Sequence, residues 1–320
     1  MSDVRRGEPH AVPSLSVVVV AWNCSDLLRA CLDSVQARAG ALTFEVIVVD
    51  NASVDGTTDM LARCYPAVRV IANTENLGFA RASNQGIAAA RADVVCLLNP
   101  DTELCEPDTL ERLLARLEAH PGIGMAGCRL VFPDGRHQVG DGGYLPSLAA
   151  VLAHATLLNR VAPRWFKGLF LQDGGADPPY TRVGWVCGAC TLVRTDAVRR
   201  AGGLDESYFM YGEDIEWGCR FNRRGETVAY LPDITIVHHQ GGTQKGASSV
   251  RTRWIDGMAR MFHDYHEGRH WVLFRWSLAL GFLLRGLLYR VAGTQRHRSL
   301  EMNIYARHIL GLARPSSTKT

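Results

Sequence analysis

Acid and amide side chains follow three apolar stretches of this sequence at the points where those stretches end. They are Trp22-Asn23, Asp50-Asn51 and Asn99-Pro100-Asp101. A carboxylate such as Asp101 is a hard oxygen ligand that suits Mg²⁺ or Mn²⁺ carrying a diphosphate. Short acids and amides such as Asp50 and Asn51 can hydrogen-bond the edge of a base or a ribose. The residue types therefore predict a site for a nucleotide with a divalent cation.

The same groups have structural interpretations that the sequence leaves open. Asp55 and the glycine after it form a turn behind the second stretch, in which Asp55 or Thr57 can cap the following helix. Asn99 and Asp101 can likewise cap a helix that starts near Pro107. Neither interpretation of these groups is excluded by the sequence alone.

A second group of charged residues lies in the C-terminal half of the chain. Glu213, Asp214 and Glu216 place three carboxylates in the first turn of a predicted helix. Such a cluster either interacts favourably with the helix dipole or supplies a general base next to the aromatic Tyr211. His238 ends a predicted strand, where it either has a structural role or ligates a metal or donates to a phosphate.

Strands and helices alternate along the chain, and these elements must position the charged groups. Apolar runs predict strands at 15–21, 44–50 and 94–98, and apolar residues at helical spacing predict a helix at 25–38. Continuous apolar strands joined by crossover helices predict a parallel sheet covered on both faces. Functional residues in such sheets gather beyond the carboxyl ends of the strands, where all three acid and amide groups lie.

The pattern after these strands is less regular. Residues 133–180 are rich in glycine and proline, which predicts a long, mobile excursion. The run G-W-V-C-G-A-C-T-L-V-R at 184–194 predicts one strand, and residues 213–224 predict a helix. We expect the chain beyond Ser248 to be helical and separately organised.

Composition excludes several classes of protein. The 320 residues are 47% hydrophobic, which fits one large domain or two small ones. No G-x-G-x-x-G and no Walker loop follows the first strand, which disfavours a dehydrogenase and a P-loop nucleotidase. A net charge of +3 is too small to indicate a nucleic acid, and none is predicted as a partner. Nine cysteines, mostly in apolar runs, and an N-terminus without an apolar signal region predict a reduced, cytoplasmic protein.

Basic charge is concentrated towards the C-terminus. Residues 248–314 contain 11 Arg and 4 acids, a balance of +7 that leaves −4 for the remainder. Residues 271–292 are long and apolar enough to suggest a transmembrane helix, but they include Arg275, Arg285 and Arg290. We expect a helix that lies on an anionic membrane surface, with a core helix or a homodimer contact as the alternative.

Seven motifs occur in an order that resembles the inverting glycosyltransferases of family 2, and more closely their bacterial rhamnosyltransferase-like members. The motifs are V-V-V-V-A-W-N, V-V-D-N-A-S-V-D-G-T, N-L-G-F-A-R-A-S-N-Q-G, L-L-N-P-D-T, C-G-A-C-T-L-V-R, F-M-Y-G-E-D-I-E-W-G-C-R and V-H-H-Q-G-G-T. The resemblance covers about residues 15–243 and implies the α/β GT-A fold, a Rossmann-like, mostly parallel sheet with helices on both faces. We expect a GT-A domain at 14–245, a basic helical segment at 246–314, and disordered ends at 1–13 and 315–320.

The resemblance also implies roles for individual residues. Trp22 would stack on the pyrimidine of a nucleotide-sugar donor, and Asp50 and Asn51 would contact its base and ribose. Asp101 takes the place of the last acid in the family's metal-binding D-x-D motif. Asn99 stands where the first acid of that motif usually lies, so this chain departs from the pattern and offers one carboxylate there.

Because of that departure, His238 becomes a further predicted ligand of the Mg²⁺ or Mn²⁺ ion. Asp214 lies in the family's E-D pair and would be the general base. Further donor-binding residues are predicted within the matched motifs: Asn23, Asp55, Asn76, Gly78, Asn84 and Asn99.

The implied reaction is the transfer of a sugar with inversion to a cell-envelope glycan or a polyprenyl-diphosphate-linked acceptor. The donor implied first is dTDP-rhamnose, followed by UDP-galactose, UDP-glucose or another pyrimidine-linked sugar. The implied location is the cytoplasm, peripheral on the inner face of the plasma membrane. Two alternatives stay open: a non-catalytic binding or regulatory subunit, and a nucleotidyltransferase, which would normally have a Gly-rich, basic loop after the first strand.

Overall fold

The computed structural model describes residues 12–172, 179–239, 250–291 and 296–315. The expected disordered ends lie almost entirely outside these residues, as do the Gly-Gly-Thr of the last motif and Ser248.

The first half of the chain alternates strand and helix as its apolar pattern predicts. Four of these elements have the predicted bounds, because each apolar run ends abruptly at polar residues. The elements are β1 (Leu15–Ala21), α1 (Ser25–Arg38), β2 (Phe44–Asp50), α2 (Thr57–Cys64), β3 (Arg69–Ala72), α3 (Phe79–Ala89) and β4 (Val94–Leu98).

The second half has shorter and more varied elements. They are β5 (Thr102–Glu103), α4 (Thr109–Glu118), β6 (Ile123–Val131), β7 (Gly142–Gly143), α5 (Leu148–Ala155), α6 (Leu158–Val161), β8 (Thr181–Arg182), β9 (Trp185–Val186), β10 (Cys190–Arg194), α7 (Thr195–Ala201), α8 (Glu213–Arg223) and β11 (Thr227–His238). Three helices complete the described chain: α9 (Val250–Tyr265), α10 (Trp271–Val291) and α11 (Arg296–Gly311).

The main sheet has the strand order β3-β2-β1-β4-β10-β6-β11-β5, with β8 beside β11. Strands β3, β2, β1 and β4 are parallel, as predicted. Strand β10 is antiparallel to both of its neighbours, so the whole sheet is mixed. Apolar side chains cover both faces of this sheet and are buried there.

The predicted single strand at 184–194 is two strands separated by a turn. Strand β9 pairs with β7 in a small separate sheet, whereas β10 enters the main sheet. The N–H of Cys190 donates to the carbonyl of Cys187 and closes the turn between them. This break leaves the peptide groups of Gly188 and Ala189 outside both strands.

The predicted mobile excursion at 133–180 is instead partly ordered, and the expected separate organisation of the tail is wrong. Helix α5 supplies Ala150 and Val151 to a hydrophobic core that also contains Ile255, Phe262 and Phe274 of the tail helices. The tail therefore packs against the rest of the molecule through apolar contacts that the local sequence pattern does not reveal.

A glycine in α9 brings the tail into contact with the segment before α8. A Cβ atom on Gly257 would lie 2.0 Å from the carbonyl oxygen of Tyr211 and 3.2 Å from the N atom of Gly212. Only a residue without a side chain fits between these two backbones, so the tail helix supports the start of α8.

We expect Gly257→Ala to lower the free energy of unfolding by about 1–3 kcal/mol, because the added methyl group displaces the Tyr211 backbone. Gly311→Ala is the matched control, since a Cβ atom there meets nothing within 4 Å and alanine favours a helix. Urea unfolding of both variants measures the difference. Equal stability of the two variants would show that α9 does not press on the segment before α8.

Candidate functional site

The end of β11 brings His238 next to Asp101. Strand β5 pairs antiparallel with β11, with His238 opposite Thr102, so the residue before Thr102 lies beside the histidine. The N–H of His239 also donates to the carbonyl of Asp101 (2.8 Å). The Nε2 atom of His238 lies 3.3 Å from Oδ1 of Asp101, and both side chains are more than nine-tenths buried.

The ring of His238 is oriented by Gln138. Its Nδ1 donates to Oε1 of Gln138 (2.6 Å), while Nε2 of Gln138 donates to the carbonyl of His238 (3.3 Å). The two bonds together fix the glutamine amide and place the imidazole proton on Nδ1. With that proton on Nδ1, Nε2 is the ring nitrogen that lies on the side of Asp101, which is the orientation of a metal-ligating histidine whose other nitrogen donates to a partner.

The Asp101–His238 pair fits a divalent cation that takes its remaining ligands from elsewhere. Within residues 12–172, 179–239, 250–291 and 296–315, no cluster of three or more His, Cys, Asp or Glu side chains forms a complete metal site. Mg²⁺ in phosphate-transfer sites typically uses one or two carboxylates, substrate phosphates and water. The Asp101 carboxylate and the His238 imidazole match that incomplete set of protein ligands.

Asn99 and Asp101 lie in a turn rather than at a helix start. The N–H and Oγ1 of Thr102 both donate to the carbonyl of Asn99, which closes a turn with proline at its second position. Helix α4 begins later, at Thr109, with Asp108 at its N-cap position. The capping interpretation of Asn99 and Asp101 is therefore wrong, and the turn instead directs Asp101 towards His238.

Asp50 and Asn51 follow β2 at the same edge of the sheet, and both are buried. Oδ2 of Asp50 accepts from the N–H of Ser53 (3.1 Å), whereas Oδ1 is buried and has no hydrogen-bond partner within the described part of the chain. The Asn51 amide donates to the carbonyl of Gly78 and accepts from Asn73. Asp50 thus keeps one acceptor oxygen for a ligand, while Asn51 connects the edge of the sheet to the segment before α3.

The residues after β1 and β2 hold their two loops together. Asn23 accepts from the N–H of Val54 (2.8 Å) and donates its own N–H to Ser53 (2.9 Å). The Asp55 carboxylate accepts from the N–H groups of Ser25 and Thr57 and from the Thr57 hydroxyl.

Partial burial alone would raise the pKa of Asp55, but these hydrogen bonds outweigh it and hold the pKa below its usual value. Asp55 therefore caps two helix starts, which supports the capping interpretation over a donor contact.

The indole of Trp22 is 43% exposed at the end of β1, so it presents an open ring surface.

The predicted residues around α3 divide into two groups. Asn76 accepts from the N–H of Gly78 (3.0 Å), and Gly78 has a φ of 81° with the Phe209 carbonyl against its Cα. Asn76 and Gly78 thus set the backbone conformation of the segment before α3 that Asn51 contacts. Asn84 instead bonds the N–H and carbonyl of Leu204, so its amide joins α3 to the loop after α7.

Asp214 is held by main-chain N–H groups at the start of α8. Its Oδ2 accepts from Gly188 (3.3 Å) and its Oδ1 from Ile215 (2.8 Å). Burial raises the pKa of Asp214, and these hydrogen bonds partly oppose the rise. A carboxylate with a raised pKa is better matched to proton removal near neutral pH than an ordinary aspartate.

The other two acids of α8 differ from Asp214 in their surroundings. Glu216 forms a bidentate ion pair with Arg220 (2.7 and 2.8 Å), whose guanidinium also donates to the carbonyls of Ala201 and Gly203. Glu213 is buried, its Oε2 has no hydrogen-bond partner among the residues that the structure describes, and burial together with the Asp214 carboxylate raises its pKa to about 8. Burial and the neighbouring charge therefore favour the protonated form of Glu213, whereas the Glu216 carboxylate is held in its ion pair with Arg220.

The turn between β9 and β10 connects the two halves of the site. The N–H of Asn99 donates to the carbonyl of Ala189 (3.0 Å), and the adjacent Gly188 donates to Asp214. The turn that carries Asp101 and the helix that carries Asp214 are thus attached to neighbouring peptide groups. Gln138, Gly188 and Asn73 were missed by sequence reasoning, because each acts through a long-range contact and none lies in a charged pattern.

Comparison with known proteins gives matches along most of the chain. Residues 16–199, more than half of the chain, match the model of glycosyl transferase family 2. An N-acetylglucosaminyl-diphospho-decaprenol L-rhamnosyltransferase of Mycobacterium tuberculosis is 30% identical over 305 residues, covering 91% of this chain and 97% of that protein. An O-antigen biosynthesis protein of Myxococcus xanthus is 27% identical over 74% of this chain and 18% of its own length.

Solved structures share the fold at lower identity. A mannosyltransferase from Pyrobaculum calidifontis, in complex with GDP-Man and Mn²⁺, superposes with a TM-score of 0.59 at 18% identity and covers 95% of this chain and 86% of that one. The resemblance inferred from the seven motifs is thereby confirmed. The chain belongs to glycosyl transferase family 2 and is a glycosyltransferase with the GT-A fold.

Proposed function

We propose that this glycosyltransferase moves rhamnose, with inversion, from dTDP-rhamnose to a polyprenyl-diphosphate-linked glycan of the cell envelope. The observation that carries the proposal is the attachment of the Asp101 turn and of Asp214 to neighbouring peptide groups, Ala189 and Gly188. A leaving-group site and a base held by one rigid turn suit a single displacement. The name of the 30% identical relative supports rhamnose and a lipid-linked acceptor as the first choices.

The donor nucleotide would lie across the carboxyl ends of β1, β2 and β4. Trp22 offers an exposed ring for stacking on a pyrimidine, and the unpartnered Oδ1 of Asp50 accepts a hydrogen bond from the base or ribose. UDP-galactose and UDP-glucose present the same pyrimidine and diphosphate chemistry and are the next donors to test.

Asp101 and Nε2 of His238 would hold Mg²⁺ or Mn²⁺, which when bound offsets negative charge on the departing nucleoside diphosphate. Gln138 keeps the His238 ring in the orientation that this role needs. Asp214 accepts the proton of the acceptor hydroxyl through one of its carboxylate oxygens. The hydroxyl oxygen attacks the anomeric carbon from the face opposite the diphosphate, and one displacement inverts that carbon.

Helix α10 supports a peripheral position on a membrane. By length and composition it could cross a bilayer, but 39% of its most apolar 18-residue stretch is buried in the protein. Arg275 donates to the carbonyl of Ile309 in α11, and Arg285 donates to the carbonyl of His154 in α5. The opposite face is exposed and apolar: Val272, Leu273, Trp276, Leu280, Leu283, Leu284, Leu287, Leu288 and Val291. A helix packed on one side and apolar on the other fits an interfacial position on the cytoplasmic leaflet.

Asp101→Ala should abolish transfer and weaken Mn²⁺-dependent binding of dTDP or UDP. Gln138→Ala should weaken that binding by about 10–100-fold, because it removes only the partner that orients the His238 ring. Glu103→Gln is the control, since Glu103 bonds His239 beside the site and is not a predicted ligand. Calorimetry with and without Mn²⁺ measures the effect, and full activity of Asp101→Ala in EDTA would contradict the metal site.

Asp214→Asn should lower kcat by about two to four orders of magnitude while donor affinity stays nearly unchanged, because the amide keeps the shape but removes the base. Glu213→Gln should keep most activity, since a protonated Glu213 and a glutamine are alike in charge. Glu216→Gln should change stability more than kcat, because it removes one side of the Arg220 ion pair. Turnover and donor binding of the three variants decide the assignment, which a fully active Asp214→Asn would remove.

Trp276→Glu with Leu280→Glu should reduce co-sedimentation with anionic phospholipid vesicles, because both changes place charge on the exposed face of α10. Val70→Glu makes the same chemical change on an exposed residue of β3 and should have no effect. High salt should weaken the electrostatic part of wild-type binding. If the wild-type protein ignores anionic vesicles at low salt, the membrane proposal fails, and self-association becomes the explanation to measure.

A further inference from the structure

A cavity of about 520 Å³ lies outside the site described above, between the 144–167 segment and the start of β9. Its volume is within the range of small-molecule sites. Tyr144, Trp165 and Phe166 supply aromatic surface to it. Trp165 is 84% exposed, so this wall opens outward rather than closing a core.

Two cations, Lys167 and Arg182, line the same cavity. The Lys167 ammonium donates to the Tyr144 hydroxyl (3.3 Å) and lies 4.9 Å from the centre of that ring. Among the residues that the structure describes, no carboxylate pairs with either cation, and both side chains are exposed. Two unneutralised cations beside aromatic rings make a cavity that favours an anionic group attached to an apolar one.

Helix α8 connects this cavity to the predicted base. Asn222 lines the cavity and donates to the carbonyl of Gly184 (3.0 Å), while Asp214 lies eight residues earlier on the same helix. At 1.5 Å per residue this places the two about 12 Å apart along the helix axis. An acceptor whose hydroxyl is at Asp214 would have to span this distance to place its phosphate in the cavity.

Exposed apolar side chains lie between the cavity and the face of α10. The 152–161 region exposes Leu152, Leu158 and Val161. Helix α5 packs directly on α10, where a Cβ atom on Gly281 would lie 2.8 Å from the Cα of Ala155. The cavity therefore has two cations at its wall and exposed apolar side chains between it and α10, which is the order of groups in a prenyl diphosphate.

We propose that this cavity binds the diphosphate and the first isoprenoid units of a lipid-linked acceptor, with Lys167 and Arg182 contacting the diphosphate. The glycan would then extend along α8 to Asp214, and the remaining lipid would pass over α5 to the membrane. The proposal rests on the acceptor class of the proposed function, and it adds where that acceptor is held and by which residues.

The test is calorimetric binding of farnesyl diphosphate to the full chain without donor and without divalent metal, which keeps the nucleotide site unloaded. Lys167→Gln and Arg182→Gln should each weaken binding by about 10–100-fold, because each removes a charge-assisted hydrogen bond. Arg164→Gln is the matched control, since Arg164 neighbours the cavity without lining it. Farnesol and inorganic pyrophosphate should each bind at least about 10-fold more weakly than farnesyl diphosphate.

Unchanged binding in the double variant Lys167→Gln with Arg182→Gln would overturn the proposal, as would no binding to the wild-type protein. Pyrophosphate binding as tightly as farnesyl diphosphate would overturn the lipid part, and equal binding of farnesol would overturn the anion part. Mn²⁺-dependent binding of dTDP should remain unchanged in every variant. No step of this test requires sugar transfer. If the proposed donor or acceptor sugar is wrong, turnover will be absent while farnesyl diphosphate still binds.

Discussion

The turn between β9 and β10 is the contact on which the site depends. Its Ala189 carbonyl accepts from Asn99, and its Gly188 N–H donates to Asp214, so one short piece of backbone fixes the turn of Asp101 and the start of α8. The antiparallel insertion of β10 beside β4 makes this possible, because it brings the turn to the carboxyl end of β4. In a purely parallel sheet, the chain would enter the neighbouring strand from the opposite edge, and the segment leaving that strand would lie here in place of the β9–β10 turn.

Holding two carboxyl groups together at the start of α8 has an energetic cost. The pKa of Glu213 rises from 4.5 to about 8 through burial and the adjacent Asp214 carboxylate. In the unfolded chain Glu213 loses its proton above its ordinary pKa, whereas in the folded protein it keeps that proton to a higher pH. The free energy of unfolding therefore falls as pH rises from about 4.5 to 8, by on the order of a few kcal/mol. A protonated Glu213 leaves no second negative charge beside Asp214, which favours the ionised form of Asp214 that a base needs.

Local sequence patterns predict the first half of this fold well. The apolar runs at β1, β2 and β4 are continuous and end at polar residues, so their bounds and the placement of Asp50 and Asp101 at strand ends follow from the pattern alone. The break at Cys187 was not predicted, because the residues on both sides are apolar and only pairing with β7 and β4 separates them. The contact of Gln138 with His238 spans 100 residues and has no local signal. The chemical roles of the site residues stay predictions.

The tail shows why a helical, basic segment need not be a separate unit. Phe262 and Phe274 stack at 4.1 Å within a core that includes α5, and Gly257 lets α9 touch the backbone that leads into Glu213. Whatever surface α10 contacts is therefore mechanically connected to the start of α8. If that surface is a membrane, the same contacts would fix the height of Asp214 above it. For an acceptor whose lipid stays in the bilayer, this height selects which sugar of the glycan reaches the base.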